Sequence, residues 1–292
     1  MSQAEAWTIL RLLQWTTEFL EKHGSACPRL DAELLLAKAR GCQRIELYTA
    51  FEEVATDELR ENFRALVRRR SEGMPVAYLL GHREFYSLDF RVSPAVLIPR
   101  PETEFVLIEL LDAAKGHARS VPLQIADVGT GSGILGVCAA KHLISAQVTA
   151  IDISTDALEI AKQNADAHHV ADRIEFLQSD LFGDVPANAT FDFVVSNPPY
   201  VSDAEYEQLS ADVKNFEPKG ALVGGPSGTE IIAQLIVQAA HRLRAGGRLI
   251  IEISPMIESA VTQLIREHGS FAEPRTIKDL ARLARVVSAV RV

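Results

Sequence analysis

The chain contains the loop Asp127-Val128-Gly129-Thr130-Gly131-Ser132-Gly133, which follows an apolar strand and opens a helix. Its glycines let the backbone turn tightly and approach a bound molecule closely. The helix that follows presents unpaired N–H groups and the positive end of its dipole to a ligand. Asp152 ends the next predicted strand, where a carboxylate can accept hydrogen bonds from both hydroxyls of a ribose. The loop and the carboxylate together indicate a nucleotide-binding site rather than an ordinary strand–helix turn.

The loop alone leaves two classes of ligand open. In one register, Gly131-Ser132-Gly133-Ile134-Leu135-Gly136 matches the dinucleotide fingerprint G-x-G-x-x-G of dehydrogenases. In the other register, Asp127 precedes Gly129-x-Gly131-x-Gly133, which is the pattern of S-adenosylmethionine (SAM) methyltransferases. We favour the second register, because it places the first glycine directly after the strand.

Predicted strands and helices alternate from residue 121 onward, which indicates a parallel sheet covered by helices on both faces. The predicted strands are Leu123–Val128, Gln147–Asp152, Ile174–Leu177, Phe191–Ser196, Arg248–Ile253 and, at the end, Arg285–Val290. After the third of these comes Gln178-Ser179-Asp180-Leu181. Asp180 could accept the exocyclic amine of an adenine while Leu181 packs against the ring, although Asp180 could equally be a helix N-cap.

Residues 1–75 show helical periodicity only, and nothing in them suggests chemistry. Four helices are expected to form a small bundle there, beginning near Trp7, Pro28, Arg44 and Thr56. Alternating apolar and polar residues around a turn at Ser87 then predict a β-hairpin. We therefore expect a helical domain over residues 1–75, a hairpin linker over 76–100 and an α/β domain over 101–292.

Asn197-Pro198-Pro199-Tyr200 follows the fourth predicted strand and selects between the two ligand classes. The prolines remove backbone donors, so the Asn197 side-chain oxygen and the Pro198 carbonyl remain as acceptors. An NH2 group on a planar system is a poor nucleophile that two acceptors can hold and aim at a methyl group. Tyr200 offers a flat wall for such a planar group. Catalysis then depends on positioning and electrostatics. The tetrad therefore suits a methyltransferase, whereas a dehydrogenase has no use for it.

With these motifs, the chain resembles the protein-(glutamine-N5) methyltransferases of the PrmC/HemK family, which modify class I peptide chain release factors. The resemblance covers nearly the whole chain and includes two further motifs, Ile98-Pro99-Arg100-Pro101-Glu102-Thr103-Glu104 and Phe216-Glu217-Pro218. It implies a Rossmann-like SAM-dependent methyltransferase fold with a seven-stranded, mainly parallel sheet. It also implies methyl transfer from SAM to the glutamine of a Gly-Gly-Gln tripeptide, with S-adenosyl-L-homocysteine as the product. No role is assigned to the glycine-rich stretch Gly224–Gly228.

The motifs and the resemblance together predict the following site. The expected cofactor-binding residues are Gly129, Thr130, Gly131, Ser132, Gly133, Asp152, Asp180, Leu181 and Asn197. The expected substrate-binding residues are Asn197, Pro198, Pro199 and Tyr200, of which Asn197, Pro198 and Tyr200 are the expected catalytic residues. No metal site is expected.

Charge and composition limit the remaining alternatives. The chain has 292 residues and a net charge of −9, and residues 76–292 carry 27 acidic and 19 basic side chains. An adenine-N6 methyltransferase acting on nucleic acid is the nearest rival, since the tetrad fits an exocyclic adenine amine equally well, but such a protein normally presents a basic face. A non-catalytic SAM-binding module is disfavoured by the intact tetrad. We expect a cytoplasmic monomer with three reduced cysteines, a release factor as partner, and no direct contact with nucleic acid or membrane.

Overall fold

The structure, a computed structural model, describes residues 6–117 and 121–292. Residues 1–5 of the expected helical domain and residues 118–120 of the expected α/β domain lie outside the described residues. The chain divides into two compact units, one of Met1–His82 with Ala211–Phe216, the other of Arg83–Ser210 with Glu217–Val292.

The described residues form the following elements in chain order. The helices are α1 Ile9–Lys22, α2 Pro28–Arg40, α3 Asp57–Ser71, α4 Val76–Leu80, α5 Glu104–Ala114, α6 Ile134–His142, α7 Thr155–Ala167, α8 Asp203–Tyr206, α9 Ala211–Phe216, α10 Glu230–Arg242 and α11 Glu258–His268. The strands are β1 His82–Phe85, β2 Leu88–Arg91, β3 Leu123–Val128, β4 Ala146–Asp152, β5 Ile174–Gln178, β6 Phe191–Ser196, β7 Val201–Ser202, β8 Val223–Gly225, β9 Leu243–Glu252, β10 Arg275–Lys278 and β11 Ala284–Val290. Short 3₁₀ turns span Arg44–Thr49, Pro101–Thr103, Ala171–Arg173, Lys219–Ala221 and Pro255–Ile257.

The first unit is helical, as its periodicity predicts. Its helices begin at residues that favour helix starts, since the Thr56 side chain accepts a hydrogen bond from the Leu59 N–H, and Pro28 occupies the first turn of α2. The short helix α4 was not predicted. It ends at Gly81, which has a φ of +80°, and Leu79 packs in the same apolar core as α1–α3. The unit therefore continues past residue 75, where the sequence pattern changes.

The predicted hairpin is present as β1 and β2, which pair with each other. Tyr86 and Ser87 form its turn with φ values of 48° and 61°, the left-handed conformation that tight hairpin turns require. Phe85 and Phe90 are buried in one core with Val106 of α5. The hairpin residues from Arg83 onward thus belong to the second unit rather than forming a free connection.

The second unit is built on a seven-stranded sheet in the order β10-β11-β9-β6-β3-β4-β5. The pairs β9–β6, β6–β3, β3–β4 and β4–β5 are parallel, and β10 and β11 are added antiparallel. Alternate residues of the strands enter two cores, one with α5 and α6 and the other with α10 and α11. The predicted α/β methyltransferase-like sheet is confirmed, and β10 at its edge is a strand that the sequence pattern did not reveal.

The register of the parallel strands determines where the functional loops meet. Val128 lies opposite both Ile151 and Ser196, and Asp152 lies opposite Gln178. The loops that follow β3, β4, β5 and β6 therefore all lie at the carboxyl ends of the parallel strands. Open α/β sheets bind their ligands at this end of the strands. No helix in the described part of the chain is long and apolar enough to cross a membrane.

Candidate active site

The glycine loop wraps around the end of β4. The N–H groups of Gly129 and Thr130 both donate to the Ile151 carbonyl, at 2.8 and 2.9 Å, and the Gly131 N–H donates to Asp152 Oδ2 at 2.9 Å. Gly129 and Gly131 have φ values of 70° and 55°, a conformation that favours glycine. These bonds tie the loop to the neighbouring strand and leave its outer surface to line a cavity.

Gly133 is required for packing rather than for lining the cavity. It has a φ of 84°, and a Cβ at this position would lie 3.1 Å from the Ala161 Cβ on α7. Gly136 also allows close packing, since a Cβ there would lie 3.1 Å from both Asp127 Oδ2 and Val148 Cγ1. The first turn of α6 can therefore approach both α7 and the end of β3.

Asp127 is almost completely buried at the base of the loop. Its Oδ2 also accepts a hydrogen bond from the Thr130 hydroxyl at 2.7 Å, whereas its Oδ1 has no partner among the described residues. Burial raises the pKa of Asp127 to about 6, against the effect of the Thr130 and Gly136 hydrogen bonds, and the Asp152 charge raises it further. Asp127 lines the cavity, and its hydrogen bonds with Thr130 and Gly136 stabilise the conformation of the glycine loop.

Asp152 lies half-buried at the end of β4 and lines the same cavity. Its Oδ1 accepts the Ser154 N–H and its Oδ2 accepts the Gly131 N–H, both at 2.9 Å. Burial raises its pKa, and the hydrogen bonds from Ser154, Gly131 and Ile153 act against that shift. Each carboxylate oxygen has a second lone pair, so both can accept further hydrogen bonds from a ligand.

The segment after β5 forms another part of the wall. The Ser179 N–H donates to the Asp152 carbonyl at 3.0 Å, which places Asp180 and Leu181 at the cavity. Leu181 has a φ of +49°, a conformation that is costly for a branched side chain. Strained backbone conformations of this kind occur in segments that hold ligands, where the surrounding structure stabilises them.

These loops enclose a cavity of about 380 Å³, within the range of small-molecule sites. Of the predicted site residues, those that line it are Gly129, Thr130, Gly131, Ser132, Asp152, Asp180, Leu181, Asn197 and Pro199. The three predicted residues that do not line it are Gly133, Pro198 and Tyr200. The described residues contain no cluster of His, Cys, Asp and Glu side chains that could hold a metal ion.

The tetrad after β6 is tied into the protein through side chains. The Asn197 Nδ2 donates to the Thr103 Oγ1 at 3.2 Å, and the Tyr200 hydroxyl donates to Glu252 Oε1 at 3.2 Å. Burial and the nearby Glu252 charge raise the pKa of Tyr200, so its hydroxyl stays protonated. Pro198 is buried. The tetrad is therefore a fixed part of the wall from which Asn197 and Pro199 face the cavity.

The glycine-rich stretch Gly224–Gly228, which had no assigned role, packs against the backbone of the tetrad. Strand β8 pairs in parallel with β7, directly after the tetrad. A Cβ at Gly224 would overlap the Pro199 carbonyl oxygen, and a Cβ at Gly228 would overlap the Tyr200 carbonyl oxygen. Glycine is required at both positions because the tetrad backbone lies directly against them.

Sequence reasoning assigned no role to four polar residues that shape the site. Glu217 accepts hydrogen bonds from the Ile98 N–H at 3.1 Å and from Arg100 at 2.5 Å, and so links the two motifs that contain them. Thr103 and Glu252 contact the tetrad through the hydrogen bonds to Asn197 and Tyr200. Thr103, Arg100 and Glu217 lie in those two motifs. Glu252 is the last residue of β9, so the rule that sites form at strand ends could have identified Glu252.

Comparisons with known proteins agree with this architecture. Residues 11–81 match the family described as PrmC N-terminal domain, and residues 103–216 match the family described as Methyltransferase small domain. The release factor glutamine methyltransferase of Rhodopirellula baltica is 54% identical, over 97% of this chain and 96% of that protein. The release factor glutamine methyltransferase of Chlorobaculum tepidum is 41% identical, over 99% of both.

Solved structures share the fold at lower identity. The T. thermophilus 16S rRNA N2 G1207 methyltransferase, in complex with AdoMet and guanosine, is 21% identical with a TM-score of 0.53, over 72% of this chain and 50% of that one. The hMettl16 catalytic domain, in complex with an RNA hairpin, is 17% identical with a TM-score of 0.57, over 77% of this chain and 81% of that one. At these identities the likeness extends to the methyltransferase fold alone.

Proposed function

Because the chain belongs to the release factor glutamine methyltransferases, we propose that it transfers a methyl group from SAM to the side-chain amide nitrogen of the Gly-Gly-Gln glutamine in class I release factors. The observation that carries this proposal is the Asn197 amide in the wall of the cavity beside the glycine loop. An amide oxygen at that position can accept an N–H of a planar NH2 group.

The cavity suits SAM in both size and charge. Asp127, Asp152 and Asp180 all line it, and carboxylates favour a cationic ligand. We propose that Asp152 holds the ribose hydroxyls through its remaining lone pairs, and that Leu181 packs against the adenine ring. The loop Gly129–Ser132 would lie along the rest of the molecule. Bound SAM supplies the electrophilic methyl group on its positively charged sulfur.

The tetrad residues then act on the substrate amide. The Asn197 Oδ1 accepts one N–H of the glutamine side chain, and the Pro198 carbonyl accepts the other. The two acceptors aim the nitrogen at the methyl group and favour the return of electron density to nitrogen as its bond to carbon forms. As the bond from nitrogen to the methyl carbon forms, the bond from that carbon to sulfur breaks, S-adenosyl-L-homocysteine is the leaving group, and the nitrogen gives up one proton to water. Pro199 lines the cavity beside these acceptors, and Tyr200 keeps this backbone in place through its hydrogen bond to Glu252.

Methyl transfer by an Asn197→Ala variant tests the proposal. Loss of one preorganised hydrogen-bonding group of this kind costs about 100- to 1000-fold in turnover. We expect that loss in single-turnover methylation of purified release factor with tritiated SAM at saturation, with a smaller change in SAM affinity. A release factor whose tripeptide glutamine is replaced by alanine is the substrate control, and it should accept no methyl group. Near wild-type rates for Asn197→Ala would overturn the proposed mechanism.

We further propose that the helical unit orients the protein substrate. It presents an exposed aromatic pair, in which Trp15 is 49% exposed and stacks on Phe19 at 5.0 Å between ring centroids. Exposed Trp residues are typical of protein–protein contacts. Trp15→Ala should therefore raise the KM for whole release factor several-fold and leave SAM affinity unchanged. Ile45→Ala, another exposed apolar residue of the same unit, is the matched control, and equal KM values for the two variants would contradict this role.

The rival adenine-N6 activity is not favoured. The relatives from Rhodopirellula baltica and Chlorobaculum tepidum are both named release factor glutamine methyltransferases, and they span nearly the whole chain. The chain also carries a net charge of −9, which opposes binding to a phosphate backbone. If a polynucleotide accepted methyl groups as fast as release factor does, the adenine-N6 activity would be favoured over glutamine methylation.

A further inference from the structure

Asn164 is a polar residue on the buried face of α7, whose other buried residues are alanines and a leucine. It is completely buried, so bulk water does not compete for its amide. A buried amide needs partners for its two N–H groups and its oxygen, and Asn164 finds all of them in backbone groups of other segments. Neither the cavity wall nor the tetrad includes this residue.

The Asn164 amide joins the glycine loop to the hairpin. Its Nδ2 donates to the Ser132 carbonyl at 2.8 Å and to the Arg91 carbonyl at 3.1 Å. Its Oδ1 accepts the Arg91 N–H at 2.7 Å. Ser132 lines the cavity, and Arg91 is the last residue of β2. One side chain of α7 therefore connects the cavity wall to the end of the hairpin.

The two bonds to Arg91 determine which way the amide faces. They resemble the paired N–H and carbonyl bonds between opposite residues of an antiparallel sheet. If the amide were turned over, its NH2 group would face the Arg91 N–H, and its oxygen would face two carbonyl oxygens. The hairpin therefore directs the second N–H of Asn164 at the Ser132 carbonyl.

This second N–H acts at the end of the glycine loop, where the chain passes into α6. The start of the loop is fixed by hydrogen bonds to the end of β4. Ser132 is held by Asn164, and the adjacent Gly133 packs against Ala161, which lies on the same helix as Asn164. Helix α7 thus fixes the part of the loop that β4 does not reach through these bonds.

We propose that Asn164, held by the hairpin, is a positioning residue that keeps the Ser132 end of the glycine loop in the conformation that binds SAM. The inference rests on the proposed binding of SAM by this loop. Asn164 does not touch the ligand in this role. Without its donor, the buried Ser132 carbonyl turns toward another donor, and SAM binding must reverse that change. The hairpin and the cofactor site are therefore coupled, and by linkage a ligand in the cavity also strengthens the bonds between Asn164 and Arg91.

Two substitutions of Asn164 test this role in the full-length enzyme. Asn164→Ala removes the amide, and Asn164→Asp keeps its shape but cannot donate when ionised. Each should weaken the binding of SAM and of S-adenosyl-L-homocysteine about 10-fold by calorimetry, because a buried carbonyl has lost its donor. The single-turnover rate at saturating SAM should stay within about threefold of wild type, since the tetrad is unchanged. In the matched control Gln163→Ala, which removes a side chain that accepts from Arg91 Nη1 at 3.3 Å, affinity should stay within about twofold of wild type.

Amide hydrogen exchange in the wild-type enzyme gives a second test that needs no variant to fold. Saturation with S-adenosyl-L-homocysteine should slow local exchange of the Arg91 N–H by at least about threefold. The Tyr86 N–H, which lies in the turn of the same hairpin and donates to Glu104 at 3.1 Å, should slow by less than about twofold.

Three results would overturn the inference. They are equal slowing of the Arg91 and Tyr86 amides, no slowing at Arg91, and folded Asn164 variants that bind SAM as tightly as wild type does. The proposed function would fail separately, through a wild-type enzyme that transfers no methyl group to release factor.

Discussion

Replacing Gly224 with alanine should impair methyl transfer although the residue lies outside the cavity wall. Its φ lies outside the range that disfavours alanine, so only the space around the new Cβ matters. That Cβ would overlap the Pro199 carbonyl oxygen and lie 2.9 Å from the Gly228 carbonyl oxygen. Non-bonded heavy atoms prefer a separation of about 3.5 Å, so the Pro199 carbonyl must retreat by roughly 1 Å.

A displacement of that size in the tetrad is large for a catalytic group. Misplacement by about 1 Å can cost on the order of 100-fold in rate, and overpacking commonly costs about 1–3 kcal/mol in stability. Gly224→Ala should therefore reduce single-turnover methylation of release factor about 100-fold. The affinity for SAM, measured by calorimetry, should change by less than about threefold, because the glycine loop Gly129–Ser132 belongs to another segment of the chain.

Gly116→Ala is the matched control, since a Cβ there would meet nothing within 4 Å. It should retain wild-type transfer rates and a similar free energy of unfolding. A folded Gly224→Ala enzyme with a transfer rate within about threefold of wild type would refute the idea that close backbone contact holds the tetrad in place.

Two further outcomes are expected. Asp152→Ala should weaken SAM binding by roughly 1.5–3 kcal/mol, the range for hydrogen bonds to a charged group, and unchanged affinity by calorimetry in a folded variant would exclude Asp152 as the ribose ligand. The pKa of Glu252 is raised from 4.5 to about 7, so its contribution to stability is present below about pH 4.5 and is lost as the pH rises through about 7. Glu252→Gln should therefore gain up to about 3 kcal/mol in free energy of unfolding relative to wild type between pH 4.5 and 8, and urea titrations that show a constant difference would contradict this linkage.

The sheet could be predicted because its central strands are nearly continuous apolar runs. Leu123–Val128 and Phe191–Ser196 have the same bounds in the sequence pattern and in the structure. Both are buried on two faces, as parallel strands between helices are. Arg275–Lys278 gave no such signal, because it is an edge strand with a charged residue at each end. It forms through its pairing with β11, which local periodicity does not report.

The parts of the site that follow single strands could also be located from sequence. The glycine loop, Asp152 and Asn197 each come directly after an apolar run, and the rule for strand ends of parallel sheets brings them together. The supporting contacts could not be located in this way, because they join distant parts of the chain. Thr103 and Asn197 are 94 residues apart, and Ile98 and Glu217 are 119 residues apart. Only the folded sheet places these pairs side by side.

Glu252 could have been identified as an unusual residue from the sequence alone. It occurs in the run Leu249-Ile250-Ile251-Glu252, where a charged residue is out of place in an otherwise apolar strand. Its burial raises its pKa, against the effect of the Arg285 charge, and costs stability near neutral pH. A glutamine would fill the same volume without that cost, but its amide could present a donor to the Tyr200 hydroxyl as readily as an acceptor. The energetic cost of the carboxylate is therefore a sign, visible in the sequence, that an acceptor is needed at this strand end, where the Tyr200 hydroxyl of the tetrad donates to it.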